Sequence, residues 1–380
     1  MAVYQLKGRV DSLNANEIGD DMMAFLEREG EISVDAEQLE YISSAGLRAL
    51  LRLRTRQGSL RIFNVQPAVW DILEMTGFTE VMTVEKALRR MSVEGCAVIG
   101  RGAKGTVYRV SPDTILKVYN DPDSLDAIRH EREMARKAFV LGLPTAISFD
   151  VVRVGDKYGS MFELLDCASM TRTIRDDPAK LPECVRVFAD VLRRLHNTPV
   201  RPGEMPDANA TLRRWAEQAG AMLDADTREK VNALVNALPA SGAMVHGDYH
   251  MNNVLLQNGE PMIIDMDTLA AGHPVFDLAN IWVAYVGFAV LGAEMIEQYM
   301  GLPLATTQEI WRQFLPCYLK TADEAVTRSA GEKAELLGSL RILQHILRRG
   351  MEKSEPGASA CGQLIARVRE LAARTDTLLL

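Results

Sequence analysis

The sequence predicts a small α/β sandwich followed by a larger α+β domain whose C-terminal part is helical. Strand-like and helix-like segments alternate over residues 1–91, which is the pattern of an α/β sandwich. A glycine-rich loop then lies between two strand-like segments, and amphipathic helical segments dominate the chain after residue 166. The 380 residues suffice for two or three folding units of about 150 residues each.

The composition is that of an ordinary globular protein, with 47% hydrophobic and 25% charged residues. The net charge of −8 argues against nucleic acid or an anionic membrane as a partner, since basic surfaces drive such binding. Acidic charge favours a cationic small molecule, although here it is spread along the whole chain. The most apolar run, residues 281–293, is shorter than the roughly 20 residues that cross a bilayer, and no signal peptide is visible.

The cysteines are widely separated and none belongs to a C-x-x-C pair, which disfavours a zinc site or a redox motif. Reduced thiols in a cytoplasmic protein are therefore expected. The cysteines are Cys96, Cys167, Cys184, Cys317 and Cys361.

The elements of the first region follow from the spacing of apolar residues. Strands are expected at 3–10, 32–34 and 60–65. Helices are expected at 17–29, 45–56 and 67–75. Pro67 suits the first turn of its helix, and Gly77 follows the end of that helix. Residues 84–91 are expected to form a closing helix, and the polar stretch 92–95 to connect the two domains.

Ser43 and Ser44 lie where a strand ends and the next helix begins. Free N–H groups and the positive end of the helix dipole favour an anion at such a point, so a serine there could carry a phosphate. The simpler interpretation is that one of the two serines only caps the helix.

The first region resembles the STAS domain, the fold of anti-sigma-factor antagonists, and this domain is expected to span 1–91. The resemblance is carried by Gly8-Arg9-Val10-Asp11, Asp35, residues 39–48, Ile62-Phe63-Asn64-Val65, Val69 and residues 72–77. In that family a partner kinase often phosphorylates a serine of an Asp-Ser-Ser-Gly element, and by position this serine is Ser44. The element is altered here, because Ser43 replaces the aspartate and Ala45 the second serine. The resemblance implies a module that regulates the second domain or recruits a protein partner.

The second region opens with Gly100, Gly102 and Gly105 in a G-x-G-x-x-G-x-V pattern that ends at Val107. Such glycines let the backbone turn sharply and approach phosphate groups closely. A dinucleotide-binding turn would continue into a helix. Here β-branched residues follow, as in the strand–loop–strand hairpin of kinases.

Lys117 lies in the next strand-like segment, where a buried lysine needs a carboxylate or phosphate partner. On its own it would be interpreted as an edge lysine that faces water. A helix expected over 125–141 carries Glu131 on its apolar face, which makes Glu131 the expected partner. Glu133 is the alternative.

Asp248, Asn253 and Asp265 form the strongest signal. Phosphoryl transfer needs one carboxylate that orients a hydroxyl, together with an amide oxygen and a second carboxylate that hold Mg²⁺. A turn at 257–260 between two strands would bring Asn253 and Asp265 side by side. A metal-hydrolase site is the alternative, but it leaves the glycine-rich loop without a role. Its members would be His246, Asp248, His250 and Asp265.

This ordered set resembles the aminoglycoside-phosphotransferase-like kinases, which share the protein-kinase core fold, over about 96–320. The resemblance implies a nucleotide-binding N-terminal lobe over 96–165 and a catalytic, helical C-terminal lobe over 166–380. It implies that Asp248 is the catalytic base and that Asn253 and Asp265 bind Mg²⁺. The ATP-binding residues that it implies are Gly100, Gly102, Gly105, Val107, Lys117 with Glu131, and the backbone of Glu163 and Leu165 in the hinge.

The resemblance also implies structural roles for His246 and for Asp277, which would brace the catalytic loop. Asp267 is either a metal or substrate ligand or a solvated turn carboxylate. In this family the C-terminal helices build the acceptor pocket. Helices are expected at 181–196, 210–223, 227–238, 281–299, 307–319, 334–349 and 362–379.

Two features favour a small acceptor over a protein. Asp277 follows Asp265 too closely for the long activation segment of a protein kinase. His250 stands two positions after Asp248, where Ser/Thr protein kinases commonly have a lysine. The expected activity is ATP- and Mg²⁺-dependent phosphorylation of a small-molecule alcohol. The alternatives are a kinase for a STAS serine, either Ser44 or one on a partner, and a nucleotide-sensing scaffold that binds proteins through STAS.

Overall fold

A computed structural model describes residues 2–102, 104–164, 167–201 and 203–380. Contacts divide the chain into two compact units, Met1–Gly95 with Val151–Gly159 and Cys96–Asp150 with Ser160–Leu380. Each unit has its own hydrophobic core. The predicted fold class, an α/β sandwich and an α+β domain with a helical C-terminal part, is confirmed.

A parallel sheet with helices along it forms most of the first unit. Its strands are β1 Ala2–Val10, β2 Ile32–Ile42, β3 Arg61–Val65 and β4 Thr83–Lys86. Its helices are α1 Ala15–Glu29, α2 Ser44–Gln57, α3 Pro67–Met75 and α4 Phe78–Val81. The strands pair in chain order, each parallel to the next. Apolar side chains of β2 and β3 pack against α1 and α2, so that Val34, Leu53 and Ile62 are fully buried.

The closing helix expected over 84–91 is wrong. The chain forms β4 and then a short strand β5, Arg89–Arg90, which pairs with Val152 and Arg153. The apolar spacing of this segment fits a helix, but Val84 lies beside Ile62 at the edge of the sheet, where pairing outweighs local periodicity. The pairing of β5 also groups Val151–Gly159 with the first unit.

The second unit begins with an antiparallel meander. Its strands are β6 Ala97–Arg101, β7 Gly105–Ser111 and β8 Thr114–Tyr119, followed by helix α5 Leu125–Val140. Strands β9 Asp150–Val154 and β10 Lys157–Glu163 come next in the chain. Residues Val151–Gly159 of this stretch belong to the first unit, whereas the end of β10 from Ser160 belongs to the second. This sheet and α5 position the glycine-rich loop and Lys117.

Helices and short strand pairs make up the rest of the second unit. The strands are β11 Cys167–Ser169, β12 Met244–Val245, β13 Val254–Gln257, β14 Glu260–Ile263 and β15 Ala270–Ala271. The helices are α6 Met170–Asp176, α7 Leu181–His196, α8 Ala208–Gly220, α9 Ala225–Asn236, α10 Val275–Tyr285, α11 Ala293–Met300, α12 Leu304–Leu319, α13 Glu324–Arg349 and α14 Gly357–Arg374. Every residue of α10 is buried, so this helix lies in the core.

The single helix expected over 281–299 is wrong. Helix α10 ends at Tyr285, a 3₁₀ turn occupies Gly287–Leu291, and α11 begins at Ala293. The turn itself packs against the core, so the apolar pattern continues through it and hides the break. Among the described helices, none is both long and apolar enough to cross a membrane.

Candidate active site

A buried carboxylate holds the backbone of the loop that follows β12. Asp277, in the first turn of α10, is fully buried. It accepts hydrogen bonds from the backbone N–H groups of His246 and Gly247, each at 2.7 Å, and from His196 Nε2 at 2.9 Å. Charge-assisted bonds of this kind are among the stronger hydrogen bonds in proteins. The loop conformation therefore depends on Asp277.

The turn before Asp248 requires glycine. Gly247 has φ of +83°, and a Cβ at this position would lie 2.8 Å from the carbonyl oxygen of Thr268. His246 Nδ1 accepts from the N–H of Asp248 at 3.3 Å, and its Nε2 lies 3.3 Å from the carbonyl oxygen of Ile264. The buried imidazole thus links the loop to the strand end that precedes Asp265.

Asp248 lies among groups that stabilise its charged form. Tyr299 donates to Oδ1 at 3.1 Å, and His250 Nε2 lies 3.7 Å from Oδ2. Burial alone would raise the pKa of Asp248, but His250 and the Arg341 guanidinium hold it well below its usual range. Asp248 is therefore ionised at neutral pH. Sequence reasoning missed Tyr299 and Arg341, because both come from distant helices.

A hairpin joins Asn253 to Asp265. Strands β13 and β14 pair antiparallel, and Asn258 and Gly259 in their turn both have positive φ. Ile264 N–H donates to the carbonyl oxygen of Asn253 at 2.9 Å, while Asn253 Nδ2 donates to the carbonyl oxygen of Asp248 at 3.0 Å. Asn253 is thus hydrogen-bonded to Asp248 and to Ile264, the residue that precedes Asp265.

Lys117 is shared by two carboxylates. Its Nζ lies 3.2 Å from Glu131 Oε1 and 3.3 Å from Asp265 Oδ1. Burial by itself would lower the pKa of Lys117, but the charges of Glu131 and Asp265 raise it above its ordinary value. Glu133, the alternative partner, pairs instead with Lys137 at 2.7 Å. Lys117 therefore stays charged and links β8, α5 and the end of β14.

The glycine-rich loop combines a close backbone approach with open space. A Cβ at Gly105 would lie 2.3 Å from the carbonyl oxygen of Val118, so β7 and β8 can pair here only with glycine. At Gly100 and Gly102, by contrast, an added Cβ would meet no atom nearer than 3.8 Å. Val107 lies opposite Lys117 in the sheet.

Lys104, which sequence reasoning also missed, extends from this loop to the acidic end of the hairpin. Its Nζ lies 3.2 Å from Asp265 Oδ2 and 2.8 Å from Asp267 Oδ2. The sequence does show a lysine inside the glycine-rich loop, but the carboxylates that Lys104 contacts lie 161 and 163 residues further along the chain. In the hinge, Glu163 is exposed at the end of β10, whereas Leu165 lies outside the described residues.

The oxygen donors at the end of β14 fit a hard cation such as Mg²⁺. Asp267 Oδ1 is buried without a hydrogen-bond partner among the described residues, and the Lys104 ammonium lies between Asp265 and Asp267. In the part of the chain that the structure describes, no three His, Cys, Asp or Glu side chains are grouped so that they could hold a metal alone. Mg²⁺ commonly binds one or two protein oxygens and completes its shell with phosphate and water. The residues therefore fit Mg²⁺ that arrives with a phosphate ligand.

Comparison with known families agrees with this geometry. The model of the phosphotransferase enzyme family (APH) matches residues 95–314, more than half of the chain. The chain belongs to this family. A STAS-domain model matches residues 1–91, so this phosphotransferase carries an N-terminal STAS domain.

Relatives are found for each part of this phosphotransferase. BtrV of Bordetella bronchiseptica, named as an anti-sigma factor antagonist, is 35% identical over 89 residues, which are 22% of this chain and 77% of BtrV. The solved structure of aminoglycoside phosphotransferase APH(2'')-Ib with ADP is 14% identical, with a TM-score of 0.49, and the match covers 80% of this chain and 98% of that one. A choline/ethanolamine kinase family protein from Mesorhizobium loti is 15% identical, with a TM-score of 0.45 and coverage of 74% and 88%.

Proposed function

We propose that this phosphotransferase uses ATP and Mg²⁺ to phosphorylate an alcohol group of a small molecule. The proposal is carried by one observation. Asn253 Nδ2 donates to the backbone carbonyl of Asp248 at 3.0 Å, the N–H of Ile264 donates to the Asn253 carbonyl at 2.9 Å, and Lys117 Nζ lies 3.3 Å from the carboxylate of Asp265, the residue after Ile264. The segments that carry a base, two oxygen ligands and a cation are therefore held together. Phosphoryl transfer depends mainly on positioning and on charge stabilisation, which such a group provides.

Asp248 would act on the acceptor. Its carboxylate would accept a hydrogen bond from the acceptor hydroxyl, whose oxygen forms a bond to the γ-phosphorus as the bond to the bridging oxygen of ADP breaks. The hydroxyl proton would pass to Asp248 and then to solvent. Because the pKa of Asp248 is low, its main contribution would be orientation, with proton transfer late in a loose transition state.

The other residues would hold the nucleotide. Lys117 would bind the α- and β-phosphates, kept in place by Glu131, and the glycine-rich loop would cover the phosphates. Asn253 and Asp265 would hold Mg²⁺, which when bound neutralises charge on the β- and γ-phosphate oxygens. The remaining assignments place Gly100, Gly105 and Val107 around the phosphates, the backbone of Glu163 at the adenine, and His246 and Asp277 in support of the loop.

The proposal is tested by ADP formation from ATP in the presence of acceptor panels. Aminoglycosides, amino alcohols, sugars, nucleosides and hydroxy acids form the panels, and one class is expected to stimulate turnover. EDTA in excess over Mg²⁺ is expected to abolish that stimulation, and added Mg²⁺ to restore it. Bound ATP without turnover in any panel would favour the nucleotide-sensing scaffold instead, and absence of ATP binding would overturn both.

A second candidate function is phosphorylation of the STAS domain. Ser43 is the N-cap of α2 and accepts from the N–H of Gly46 at 3.5 Å, whereas Ser44 is exposed at the first helical position. The capping role therefore falls to Ser43 and leaves the Ser44 hydroxyl accessible. The similarity to an anti-sigma factor antagonist supports a STAS module that binds a protein partner and regulates the phosphotransferase.

If the chain phosphorylates itself at this position, wild-type protein incubated with Mg-ATP gains the mass of one phosphoryl group and Ser44→Ala does not. Ser43→Ala is the matched control, because it removes the cap but keeps the accessible hydroxyl. Intact-mass spectrometry distinguishes the three proteins. An equal gain in wild type and Ser44→Ala would place the phosphate elsewhere, and no gain in either would exclude self-phosphorylation.

A further inference from the structure

A cavity of about 410 Å³ adjoins the catalytic loop. Gly247, next to Asp248, and Asp267 with Thr268 line one part of it. Helices α8 and α13 supply most of the remaining lining. Neither Lys117 nor a residue of the glycine-rich loop is among the described lining residues, although the lining residue Asp267 contacts Lys104 of that loop. The cavity therefore adjoins the groups assigned to the nucleotide without being lined by them.

One polar face of α13 lines the cavity. Arg341, Gln344, His345 and Arg348 recur at the spacing that places side chains on one side of a helix. Helix α8 adds Arg214 and Trp215 to the lining. The Arg341 guanidinium of α13 lies 5.6 Å from the centre of the Trp215 ring. The cavity is thus bordered by three guanidinium groups from two helices.

Each carboxylate in the lining contacts one cation. Asp207 accepts from Arg213 at 2.8 Å, and Asp267 Oδ2 lies 2.8 Å from Lys104, which it shares with Asp265. The three arginines of the lining, by contrast, form no ion pair with a carboxylate in the described part of the chain. They are Arg214, Arg341 and Arg348.

Arg341 is the arginine that acts on Asp248. Arg341 donates a hydrogen bond to Asn280 Oδ1. Burial lowers the pKa of Arg341, whereas the negative charge of Asp248 raises it. A guanidinium stays charged at neutral pH under these conditions. Arg214 and Arg348 are exposed to solvent at the cavity. Arg341 is thus balanced by Asp248, whereas Arg214 and Arg348 bring positive charge to the cavity with no ion-paired carboxylate in the described part of the chain, although the chain as a whole carries −8.

We propose that this cavity takes the acceptor and that the acceptor is a small anion, a hydroxylated carboxylate or phosphate monoester bound through Arg348 and Arg214. This inference rests on the proposed function, and it names the substrate class for that site. The planar guanidinium donates two parallel hydrogen bonds to a carboxylate or phosphate, which fixes orientation as well as charge. With its anionic end held at these arginines, the acceptor can present its hydroxyl to Asp248. A cationic acceptor such as an amino alcohol would be repelled.

Binding measurements with simple probes test the inference without requiring turnover. The probes are glycerate, glycerol 3-phosphate, glycerol and choline, titrated calorimetrically into the full chain in the presence of Mg²⁺ and ADP. Wild type is expected to bind at least one of the two anions more tightly than glycerol or choline. Arg348→Gln is expected to raise the Kd of that anion about 10- to 100-fold, the effect of losing a hydrogen bond to a charged group.

Arg349→Gln is the matched control, because it removes the same charge from the neighbouring exposed residue, which does not line the cavity. Its Kd for the anion should stay within about twofold of wild type, since exposed charges contribute little at a distance. Comparison of glycerate with glycerol 3-phosphate distinguishes a carboxylate site from a phosphate site. Tighter binding of choline, weak binding of both anions, or equal losses in the two variants would overturn the inference.

The titrations, combined with assays for phosphorylation of the probes, distinguish failure of this inference from failure of the proposed function. Asp248→Asn should still bind the anion, because Arg348 and Arg214 remain. Anion binding that depends on Arg348, without phosphorylation of any bound probe, would support the anionic site and count against phosphotransfer. Phosphorylation of a neutral or cationic acceptor, with no effect of Arg348→Gln on its KM, would support phosphotransfer and overturn the anionic site.

Discussion

Asp248→Asn is expected to lower acceptor-dependent ADP formation by about 10²- to 10⁴-fold, the usual contribution of a positioned acid–base group. The substitution keeps the shape of the side chain but replaces a charged hydrogen-bond acceptor with a neutral amide. The acceptor hydroxyl then loses the group that orients it and receives its proton. Tyr299 and Arg341, which both interact with the carboxylate, lose a charged partner as well.

The loss should appear in kcat and not in nucleotide affinity, because Lys117, Glu131 and Asp265 are untouched. Steady-state kinetics with calorimetric titration of ADP separates the two quantities. Asp126→Asn is the matched control, since the Asp126 side chain is 95% exposed and its ion-pair partner is Arg129 on the same helix. Turnover retained within about threefold in Asp248→Asn would remove Asp248 from the proposed chemistry.

The sequence predicts correctly those contacts around the candidate site whose signals are local. The turn residues at 257–260 predict a hairpin between two strands, and the observed hairpin places Asn253 beside Ile264, the residue before Asp265. The choice of Glu131 over Glu133 rested on the apolar face of one helix, and the structure places Glu131 beside Lys117. One inference depends on turn residues and the other on periodicity within one helix, and a sequence records both kinds of local signal directly.

Contacts between distant elements could not be predicted in this way. Lys104 pairs with Asp265 and Asp267, and Tyr299 donates to Asp248 across 51 positions. Neither contact leaves a pattern within its own segment. In residues 84–91 a local pattern was present but misleading. The spacing of apolar residues fits a helix, whereas pairing with the edge of the sheet makes the segment a strand.

The positively charged lining of the cavity could not be predicted from the sequence either. The spacing of Arg341, Gln344, His345 and Arg348 is visible in the sequence, but a polar helix face is usually one that faces solvent. Only the packing of α13 beside α8 shows that this face borders a cavity. Net charge is an average over the surface, whereas a small ligand responds to the few groups within a Debye length of about 8–10 Å. The average therefore favours a cation where the local charges favour an anion.

Asp277→Ala is expected to destabilise the second unit by about 3–5 kcal/mol, as removal of one partner from a buried charged network does. Asp277 is fully buried and accepts from two backbone N–H groups and from His196. Its loss leaves these donors without partners in the core, and each buried unsatisfied group costs about 1–3 kcal/mol. Urea unfolding followed by tryptophan fluorescence measures the change, with Asp126→Asn as the control.

A milder variant separates the positioning of the catalytic loop from general stability. His196→Phe removes one donor to Asp277 and the contact of Nδ1 with the Tyr318 hydroxyl at 2.7 Å, but keeps the bonds from His246 and Gly247, so a loss of about 1–3 kcal/mol is expected. If those backbone bonds position Asp248, turnover measured well below the unfolding transition should fall far more in Asp277→Ala than in His196→Phe. Equal turnover per folded molecule in the two variants would limit Asp277 to a role in folding. A selective loss of kcat in Asp277→Ala would show that the buried carboxylate positions the loop on which Asp248 stands.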